Sequence, residues 1–307
     1  MLLLPSSVIL RLSISIIKES FMSQKSRIFV HGLKAHADEM WACALLIASK
    51  PEIEFTEIIR DAKRIGEADG DDFILDCGMK YDGKHLFDHH QFESTEDVDC
   101  SLSLIAKTFA PWVLSDHKFG KLIERVRVQD NFGVAEAEKK FGDSSSWLFA
   151  EQVSLELFAK EPMTAARILA DGFVKRLAEI SEVDELLKWI PQNSHTETVG
   201  RFKVLVIEHS PVQAGFSLTG FNSASTIYAG KEKIEIIFGW NSDGSDSRTL
   251  FRTRCGKDIY FTEAKPENEV FCHNSGFLLI FDPAADDEYK ELIIQSDVSE
   301  KNVEKSA

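Results

Sequence analysis

The sequence predicts an α/β protein: a first domain with a mostly parallel sheet covered by helices on both faces, followed by a smaller α+β domain. Between residues 27 and 190, short apolar segments alternate with longer helical ones, as expected for strand–helix–strand units. From residue 201 onward, strand-like segments follow one another, and a turn-rich segment separates two of them. The chain has 307 residues, which is enough for two domains with a core each.

The elements of the first domain are predicted from apolar periodicity and from helix-start signals. Asp38 and Glu39 open the first predicted helix, because acidic side chains are favoured at the positive end of the helix dipole. The rest of this helix is apolar on nearly all sides, so we expect it to be buried. The predicted strands cover 27–31, 54–60, 71–78 and 84–90, and the predicted helices cover 38–50, about 98–130, 146–160 and 163–189.

A polar segment with Pro and Gly, residues 191–200, is the predicted linker between the domains. The first, metal-binding domain is therefore expected at 27–190 and the second, substrate-binding domain at 201–295, with a frayed tail at 296–307. A long hairpin is predicted across the turn-rich segment 241–247. The predicted strands of the second domain cover 201–209, 233–240, 248–254 and 269–282.

The first 26 residues are expected to be a disordered extension outside the fold. The charge-free run before Arg11 is ten residues long, too short to span a bilayer. Positive charge follows this apolar run instead of preceding it, which disfavours a secretory signal peptide. We expect a cytoplasmic protein, and the lack of acids before Glu19 leaves an organelle-targeting segment as the alternative. Met22 is an alternative start to Met1.

The composition excludes several classes of function. The net charge is −15 and no long Lys/Arg run occurs, so stable binding to long duplex nucleic acid is not expected. Phosphorylated small molecules and short single-stranded RNA or DNA stay open, because a bound metal supplies its own positive charge. Five cysteines without a C-x-x-C pair argue against disulfides and against a cysteine zinc site. No membrane association is predicted, and an oligomer is left open.

Three predicted strands end in residues of the types that bind metal ions. Because ligands bind beyond the carboxyl ends of parallel strands, these side chains are expected at one edge of the sheet. Each alone has an ordinary explanation: a histidine pair is usually on the surface, and Asp38 or Asp76 could cap a helix. Their coincidence at the same edge favours a metal site. The candidates are His31, His36, Asp38, Asp76, Asp88, His89 and His90, with Asp130 at the end of a helical segment.

The donor types indicate which ions are expected. Histidine and carboxylate together suit a divalent transition metal, and the many carboxylates favour Mn²⁺ over Zn²⁺, with Mg²⁺ also open. Six of these candidates already exceed the four ligands of a tetrahedral zinc ion. We therefore expect two ions per chain, which need a bridging carboxylate, and Asp76 is the predicted bridge.

Five motifs stand out along the chain: "HGLKAHADE", "LDCG", "FDHHQ", "QDNFG" and the late "FCHNSGF". Together they resemble the DHH phosphoesterase superfamily, and more closely its melanocyte-proliferating-gene (MYG) branch of metal-dependent hydrolases, over about residues 27–282. The H-x4-H-x-D-E motif of that branch is matched by His31, His36, Asp38 and Glu39. The resemblance implies a DHH-type fold, a dinuclear metal site and a role in RNA processing.

The resemblance also implies a role for each candidate residue. His90 would face the substrate phosphate, while Asp88 would orient its neighbours, since a ligating imidazole needs an anchor for its other nitrogen. In the second domain, His273 and Gly276 of "CHNSGF" match the late motif that contacts substrate. The implied metal ligands are His31, His36, Asp38, Asp76, His89 and Asp130.

A cationic segment of the second domain is a further candidate for phosphate binding. Residues 248–257 contain four Lys or Arg and no acid, within an otherwise acidic chain. Strand alternation would place Arg252 and Arg254 on one face, where both could reach a phosphate. The alternative is a solvated hairpin edge whose positive charge prevents aggregation.

These features predict a hydrolase: a Mn²⁺-dependent phosphoesterase acting as a phosphodiesterase or exonuclease on RNA ends or short oligonucleotides, through a hydroxide activated by two metal ions. Two alternatives use the same fold. One is a pyrophosphatase or cyclic-dinucleotide phosphodiesterase with the same metal site. The other is a binding protein that has lost catalysis, although all six ligand positions are filled.

Overall fold

The computed structural model describes residues 24–32, 34–92, 98–142, 145–240, 246–285 and 287–299. The described residues form two compact units, one ending at Arg176 and the other beginning at Leu177. This division falls inside one helix, Pro162–Trp189, and not at the predicted linker. The predicted N-terminal extension lies outside the described residues except for its last three, and the predicted tail is described only to residue 299.

The first unit contains a four-stranded sheet whose strands are all parallel. Its most central apolar segment, Ile28 to Val30, is fully buried at three consecutive residues. Because neighbouring side chains of a strand point to opposite faces, both faces of the sheet are covered. The predicted α/β class with a parallel sheet is confirmed. The strands are β1 (Gln24–Val30), β2 (Ile53–Arg60), β3 (Phe73–Leu75) and β4 (Leu86–Phe87), in the spatial order β2-β1-β3-β4.

Helices pack against this sheet. The single helical region predicted near 98–130 is three helices, because Pro111 interrupts it and Asp116 starts the next helix by accepting from the backbone N–H groups of Lys118 and Phe119. The first helix is buried along most of its length, as its sequence predicts. The helices are α1 (Ala37–Ser49), α2 (Ser101–Phe109), α3 (Trp112–Ser115), α4 (His117–Phe132), α5 (Val134–Phe141), α6 (Ser145–Lys160) and α7 (Pro162–Trp189).

The second unit contains a six-stranded mixed sheet and two further helices. The predicted hairpin is confirmed: the strands on either side of the segment 241–247 pair antiparallel, from Trp240↔Arg248 to Ile236↔Arg252. The elements are β5 (Ser194–Val199), β6 (Phe202–Ile207), α8 (Leu218–Glu232), β7 (Ile236–Trp240), β8 (Arg248–Arg252), β9 (Glu269–Cys272), β10 (Leu278–Phe281) and α9 (Glu288–Gln295), with the strands in the order β5-β6-β7-β8-β10-β9.

Several elements of the second unit differ from the sequence prediction. The predicted strand 269–282 is two strands, β9 and β10, and α9 is not predicted. Strand β5 occupies most of the predicted linker, because its alternating polar and β-branched residues suit an edge strand that pairs with β6. The sequence does not predict α8, which contains two glycines and several Ser, Thr and Asn residues of low helix propensity. Its start is fixed by Ser217, whose Oγ accepts from the Gly220 N–H, and Phe221 packs it into the core.

The described part of the chain can be searched for membrane-spanning helices and for disulfides, the two features that the composition disfavours. None of its helices is both long and apolar enough to cross a bilayer. All five cysteines lie in described segments and are unpaired. Cys43 and Cys100 are fully buried in the core of the first unit.

Candidate metal centre

The carboxyl edge of the parallel sheet brings the predicted ligands together. His31 follows β1, Asp76 follows β3, and Asp88 follows β4, directly after the last residue of each strand. The start of α1 and the last turn of α4 add further ligands at the same place. Three groups could hold an ion, each with candidate ligand atoms within 4.8 Å of one another: His31, His36 and Asp76; Asp38, His89 and Asp130; and Asp76, Asp88, His89 and His90.

Two backbone features allow this convergence. The chain passes so close to β2 after His31 that a Cβ on Gly32 would lie 2.8 Å from the Arg60 carbonyl oxygen. Glycine is therefore required there. Asp76 has a φ of 55°, a left-handed conformation that is uncommon outside glycine and tolerated by aspartate. Its N–H donates to the Phe87 carbonyl at 3.1 Å, which holds the turn in place.

Two close pairs of ligand atoms define the geometry. His31 Nε2 lies 3.2 Å from Asp76 Oδ2, and His89 Nε2 lies 3.0 Å from Asp130 Oδ2. Two atoms that are each about 2.1 Å from one ion, at a right angle, lie about 3 Å apart. The observed separations therefore suit neighbouring ligands of a shared cation. His89 Nδ1 is 3.8 Å from Asp76 Oδ1, which connects the two pairs.

Several ligand atoms at this edge are buried without a hydrogen-bond partner among the described residues. They include both ring nitrogens of His31, Asp76 Oδ1 and His89 Nδ1. The 3.2 Å contact between His31 and Asp76 is close but misaligned for a hydrogen bond. A buried unpaired polar atom is destabilising, and each such group calls for an explanation. A divalent cation would satisfy these atoms together, so the residues fit a metal site.

Asp38 has a second task in the fold. Its two oxygens accept from the backbone N–H groups of Ser101 and Leu102, at 2.9 and 2.8 Å, in the first turn of α2. The side chain is almost fully buried, at 1% exposure. A carboxylate has about four acceptor sites, so these bonds leave a lone pair for a cation. The ordinary reading of Asp38 as a helix cap is therefore partly right, but the helix capped is α2 and not its own.

Asp88 is hydrogen-bonded to His90, and its predicted role in orienting its neighbours stays a prediction. Asp88 Oδ1 accepts from His90 Nδ1 at 2.6 Å and from the His90 backbone N–H at 3.0 Å. Its other oxygen accepts from the Met79 backbone N–H at 2.6 Å. These bonds use most of the acceptor capacity of Asp88 and leave His90 Nε2 for another partner. The His90 side chain is 52% exposed, so it is accessible to a ligand in solution.

Glu39 is a functional candidate to which the sequence analysis gives no role beyond its place in the motif. It is fully buried, and its Oε1 accepts from the His36 backbone N–H and from Arg60 Nη2. Its Oε2 lies 3.6 Å from His31 Nε2. Glu39 therefore links the two histidines of the first motif. A glutamate in a helix that is otherwise apolar is the sequence signal for such a role.

Burial and mutual repulsion raise the pKa values of the acids at this edge when no cation is present. Burial raises the pKa of Asp76 to about 10, with a further contribution from the charges of Asp38 and Asp130. Burial likewise raises the pKa of Asp38 to about 6 and that of Glu39 to about 7. Burial lowers the pKa of His89, but the hydrogen bond to Asp130 and the nearby acids outweigh it and raise the value to about 9. A bound cation would displace these protons.

The predicted substrate residues lie in the second unit. Strand β8 ends at Arg252, because a turn follows in which the Thr253 hydroxyl accepts from the Cys255 N–H. Arg254 is therefore not on the predicted strand face. Arg252 donates to the Ile259 carbonyl at 2.6 Å and lies over the Tyr260 ring. The alternation argument for the two arginines is therefore wrong, although a role in phosphate binding stays a prediction.

His273 and Gly276 form the turn between β9 and β10. The Gly276 N–H donates to the His273 carbonyl at 2.7 Å, and Gly276 has a φ of 62°, which favours glycine. His273 Nδ1 is paired with the Ser275 hydroxyl at 2.7 Å. Their contact with substrate stays a prediction.

A protein-family model matches a large part of the first unit. Residues 27–122 match the MYG1_exonuc family model, described as an uncharacterised protein family (UPF0160). The match confirms the resemblance to the MYG branch of the DHH group over that segment, which contains every candidate ligand of this unit except Asp130. A search of curated proteins gives no match.

Two solved structures of RecJ from Thermus thermophilus, in complex with Mn²⁺ and with Mg²⁺, were also compared. Both are 12% identical to this chain and align over 93% of it, with TM-scores of 0.28 and 0.29. The alignments cover 54% and 52% of the RecJ chains, so this chain spans about half their length. Likeness at this TM-score shows neither a shared fold nor a shared activity.

Proposed function

We propose that this chain is a metal-dependent phosphoesterase that cleaves phosphodiester bonds at the ends of short single-stranded RNA or related oligonucleotides, with two Mn²⁺ ions. The observation that carries the proposal is the set of buried, unpaired ligand atoms on His31, Asp76 and His89. The match of residues 27–122 to the MYG1_exonuc model supports the nuclease class.

The ligand groups suggest how two ions would be held. His31, His36 and Asp76 would hold one, and Asp38, His89 and Asp130 the other. Asp76 also belongs to the group that contains His89, which supports it as the bridging carboxylate. Mixed imidazole and carboxylate donors suit Mn²⁺, with Mg²⁺ and Zn²⁺ as competitors.

The chain's own groups would position the substrate. When bound, divalent cations supply positive charge for the phosphate oxygens and make a water molecule more acidic. With both ring nitrogens protonated, His90 would donate from Nδ1 to Asp88, 2.6 Å away, and from Nε2 to a phosphate oxygen. That donor is worth most where charge develops on the oxygens during cleavage.

The test is hydrolysis of a labelled RNA pentamer by the full chain, with and without Mn²⁺. We expect release of mononucleotides from one end, and a loss of about a hundredfold or more in Asp76→Asn, which removes the bridging charge. Asp82→Asn is the matched control, because Asp82 lies in the same loop region but caps only backbone N–H groups.

A panel with pyrophosphate and a cyclic dinucleotide separates the substrate classes. Preference for either would replace the oligonucleotide proposal while keeping the metal site. Binding of Mn²⁺ without cleavage of any phosphate compound would favour a binding protein. Equal activity of Asp76→Asn and the unmodified chain would contradict the metal mechanism.

A further inference from the structure

A cavity of about 380 Å³ opens directly on the metal centre within the first unit. Three of its lining residues, His36, Asp38 and Asp130, are candidate ligands. A phosphate bound there would therefore leave the rest of its nucleotide beside this cavity. The proposed chemistry uses none of the other lining residues. They include the apolar Val126, Val134 and Leu155 and the polar Gln129 and Glu151.

The polar groups of the cavity are oriented by each other. Gln129 Nε2 lies 3.4 and 3.5 Å from the two oxygens of Glu151. Because a carboxylate only accepts, the amide nitrogen must face Glu151, which fixes the orientation of the Gln129 amide. Gln129 Oε1 is then buried, with no hydrogen-bond partner in the described part of the chain. Because Gln129 Oε1 is buried, the acceptors that the cavity presents are the weakly bonded oxygens of Glu151.

Glu151 is in an unusual position for a carboxylate. Its exposure is 8%, and burial raises its pKa, although Gln129 and the charge of Arg125 oppose this. A poorly solvated carboxylate gains more than an exposed one from a ligand that donates two N–H groups. The bonds from Gln129, at 3.4 Å or longer, leave room for such donors.

We propose that this cavity binds the guanine base of the nucleotide whose phosphate lies at the metal centre. Guanine is the one common base whose pairing edge carries two adjacent donor groups, N1–H and the 2-amino group, and these match the two carboxylate oxygens of Glu151. Adenine, cytosine and uracil each place a ring or carbonyl acceptor in one of these positions. Val126, Val134 and Leu155 supply apolar surface for the base. The inference rests on the proposed function, because the phosphate must be held by the metal ligands.

The test is equilibrium binding of GMP, IMP, AMP, CMP and UMP to the full chain loaded with Mn²⁺, by calorimetry. IMP lacks only the 2-amino group of GMP. We expect GMP to bind about tenfold or more tightly than the other four, since a hydrogen bond to a charged group is worth about a factor of ten or more. In Glu151→Gln the ratio of GMP to IMP affinity should fall to near one.

The control is Glu161→Gln, an exposed residue just beyond α6 that does not line the cavity. It should leave the GMP to IMP ratio unchanged. Equal affinity for all five nucleotides, no nucleotide binding at all, or an equal loss for all five in Glu151→Gln would overturn the inference. Far-UV circular dichroism confirms that Glu151→Gln is folded before its affinities are compared.

The result is separable from the test of the proposed function, because binding is measured without turnover. Preferred binding of GMP by a chain that cleaves no phosphate ester would leave the inference standing and remove the proposed activity. Cleavage of RNA pentamers at equal rates whatever their terminal base would support the activity and overturn the guanine pocket.

Discussion

At the scale of single residues, the acids of the metal centre differ in how much of their hydrogen bonding the protein itself satisfies. Asp88 is bonded through both oxygens to Met79 and His90. Asp76 is also buried, but its Oδ1 has no partner within the described residues. Asp76 therefore has an open position that a cation would fill, whereas Asp88 is satisfied by its neighbours. Substitutions at the two positions should act differently.

Replacing Asp76 by Asn should stabilise the metal-free protein at alkaline pH. Asp76 has a pKa of about 10 in the folded state, against 3.8 for the free side chain. Between these values the folded state holds a proton that the unfolded chain releases, so stability falls as pH rises. Asn carries no charge. At pH 8 we expect metal-free Asp76→Asn to be more stable than the unmodified metal-free chain by about 1–3 kcal/mol. It should therefore unfold at a higher temperature.

The same thermal scans contain the control. At pH 5 the difference in stability between the variant and the unmodified chain should be smaller. The reason is that pH 5 lies close to the unfolded-state pKa of 3.8, so the unmodified chain has lost little stability there. Added Mn²⁺ should raise the melting temperature of the unmodified chain far more than that of Asp76→Asn. A variant that is less stable at both pH values would contradict the proposed protonation of Asp76.

Replacing Asp88 by Asn should impair His90 without removing metal ligands. The amide nitrogen of Asn cannot accept from the Met79 N–H, so the anchor of His90 is disturbed. Loss of such a supporting contact is expected to lower activity about 10- to 100-fold. Turnover and Mn²⁺ affinity should be measured together. A large loss of Mn²⁺ affinity with unchanged turnover at saturating metal would refute the positioning role.

At the scale of elements, helix α2 carries no proposed ligand but is nevertheless tied to the metal site. Asp38, at the start of α1, accepts hydrogen bonds from backbone N–H groups at the N-terminus of α2. It is 63 residues away from Ser101 in sequence. Sequence patterns predict both helices, but they cannot predict this cap, because capping rules describe neighbours along the chain. The same limit applies to α8, whose residues have low helix propensity and which is helical because Phe221 and its neighbours pack in the core of the second unit.

Replacing Asp38 by Ala should destabilise the protein even without metal. Two backbone N–H groups of α2 would lose their acceptor inside the core, which costs about 2 kcal/mol. Asp116→Ala is the matched control, because Asp116 caps α4 in the same way. Both variants should melt at a lower temperature, but only Asp38→Ala should lose Mn²⁺ affinity. Loss of affinity in both would mean that helix stability alone controls the site.

At the scale of the whole molecule, charge is the dominant property. The net charge of −15 repels an anionic substrate, so the cations must reverse the local field before a phosphate can bind. The metal-free site partly avoids its own repulsion by keeping Asp76, Asp38 and Glu39 protonated more than usual. Metal binding, proton release and substrate binding are thus expected to be linked.

Binding of Mn²⁺ should therefore release protons and strengthen as pH rises. Asp76 and His89 have pKa values of about 10 and about 9 without metal, and both must lose a proton to act as ligands. Between pH 6 and 8 we expect the affinity to rise by about tenfold or more per unit of pH if one proton or more is displaced. Calorimetry in buffers of different ionisation enthalpy counts the protons. A pH-independent affinity with no proton release would rule out this linkage.

Local sequence by itself indicated which residue types stand at the strand ends of the candidate metal site. The alternation of strands and helices predicts a parallel sheet, and ligand-type residues directly after Val30, Leu75 and Phe87 predict a metal site at its carboxyl edge. Strand periodicity and strand-end position are properties of consecutive residues, so they can be seen without coordinates. The alternation argument failed beyond Arg252 because a turn closed by Thr253 stopped the strand.

Only the tertiary structure decided which groups satisfy one another and which remain open. It joined Glu39 to Arg60 and set Gln129 against Glu151, across 22 residues, beside the ligands. It also placed the division of the chain inside α7 and made a strand of the predicted linker. These outcomes depend on burial and on contacts between distant segments, because desolvation and packing are set by the folded chain and not by residues adjacent in sequence.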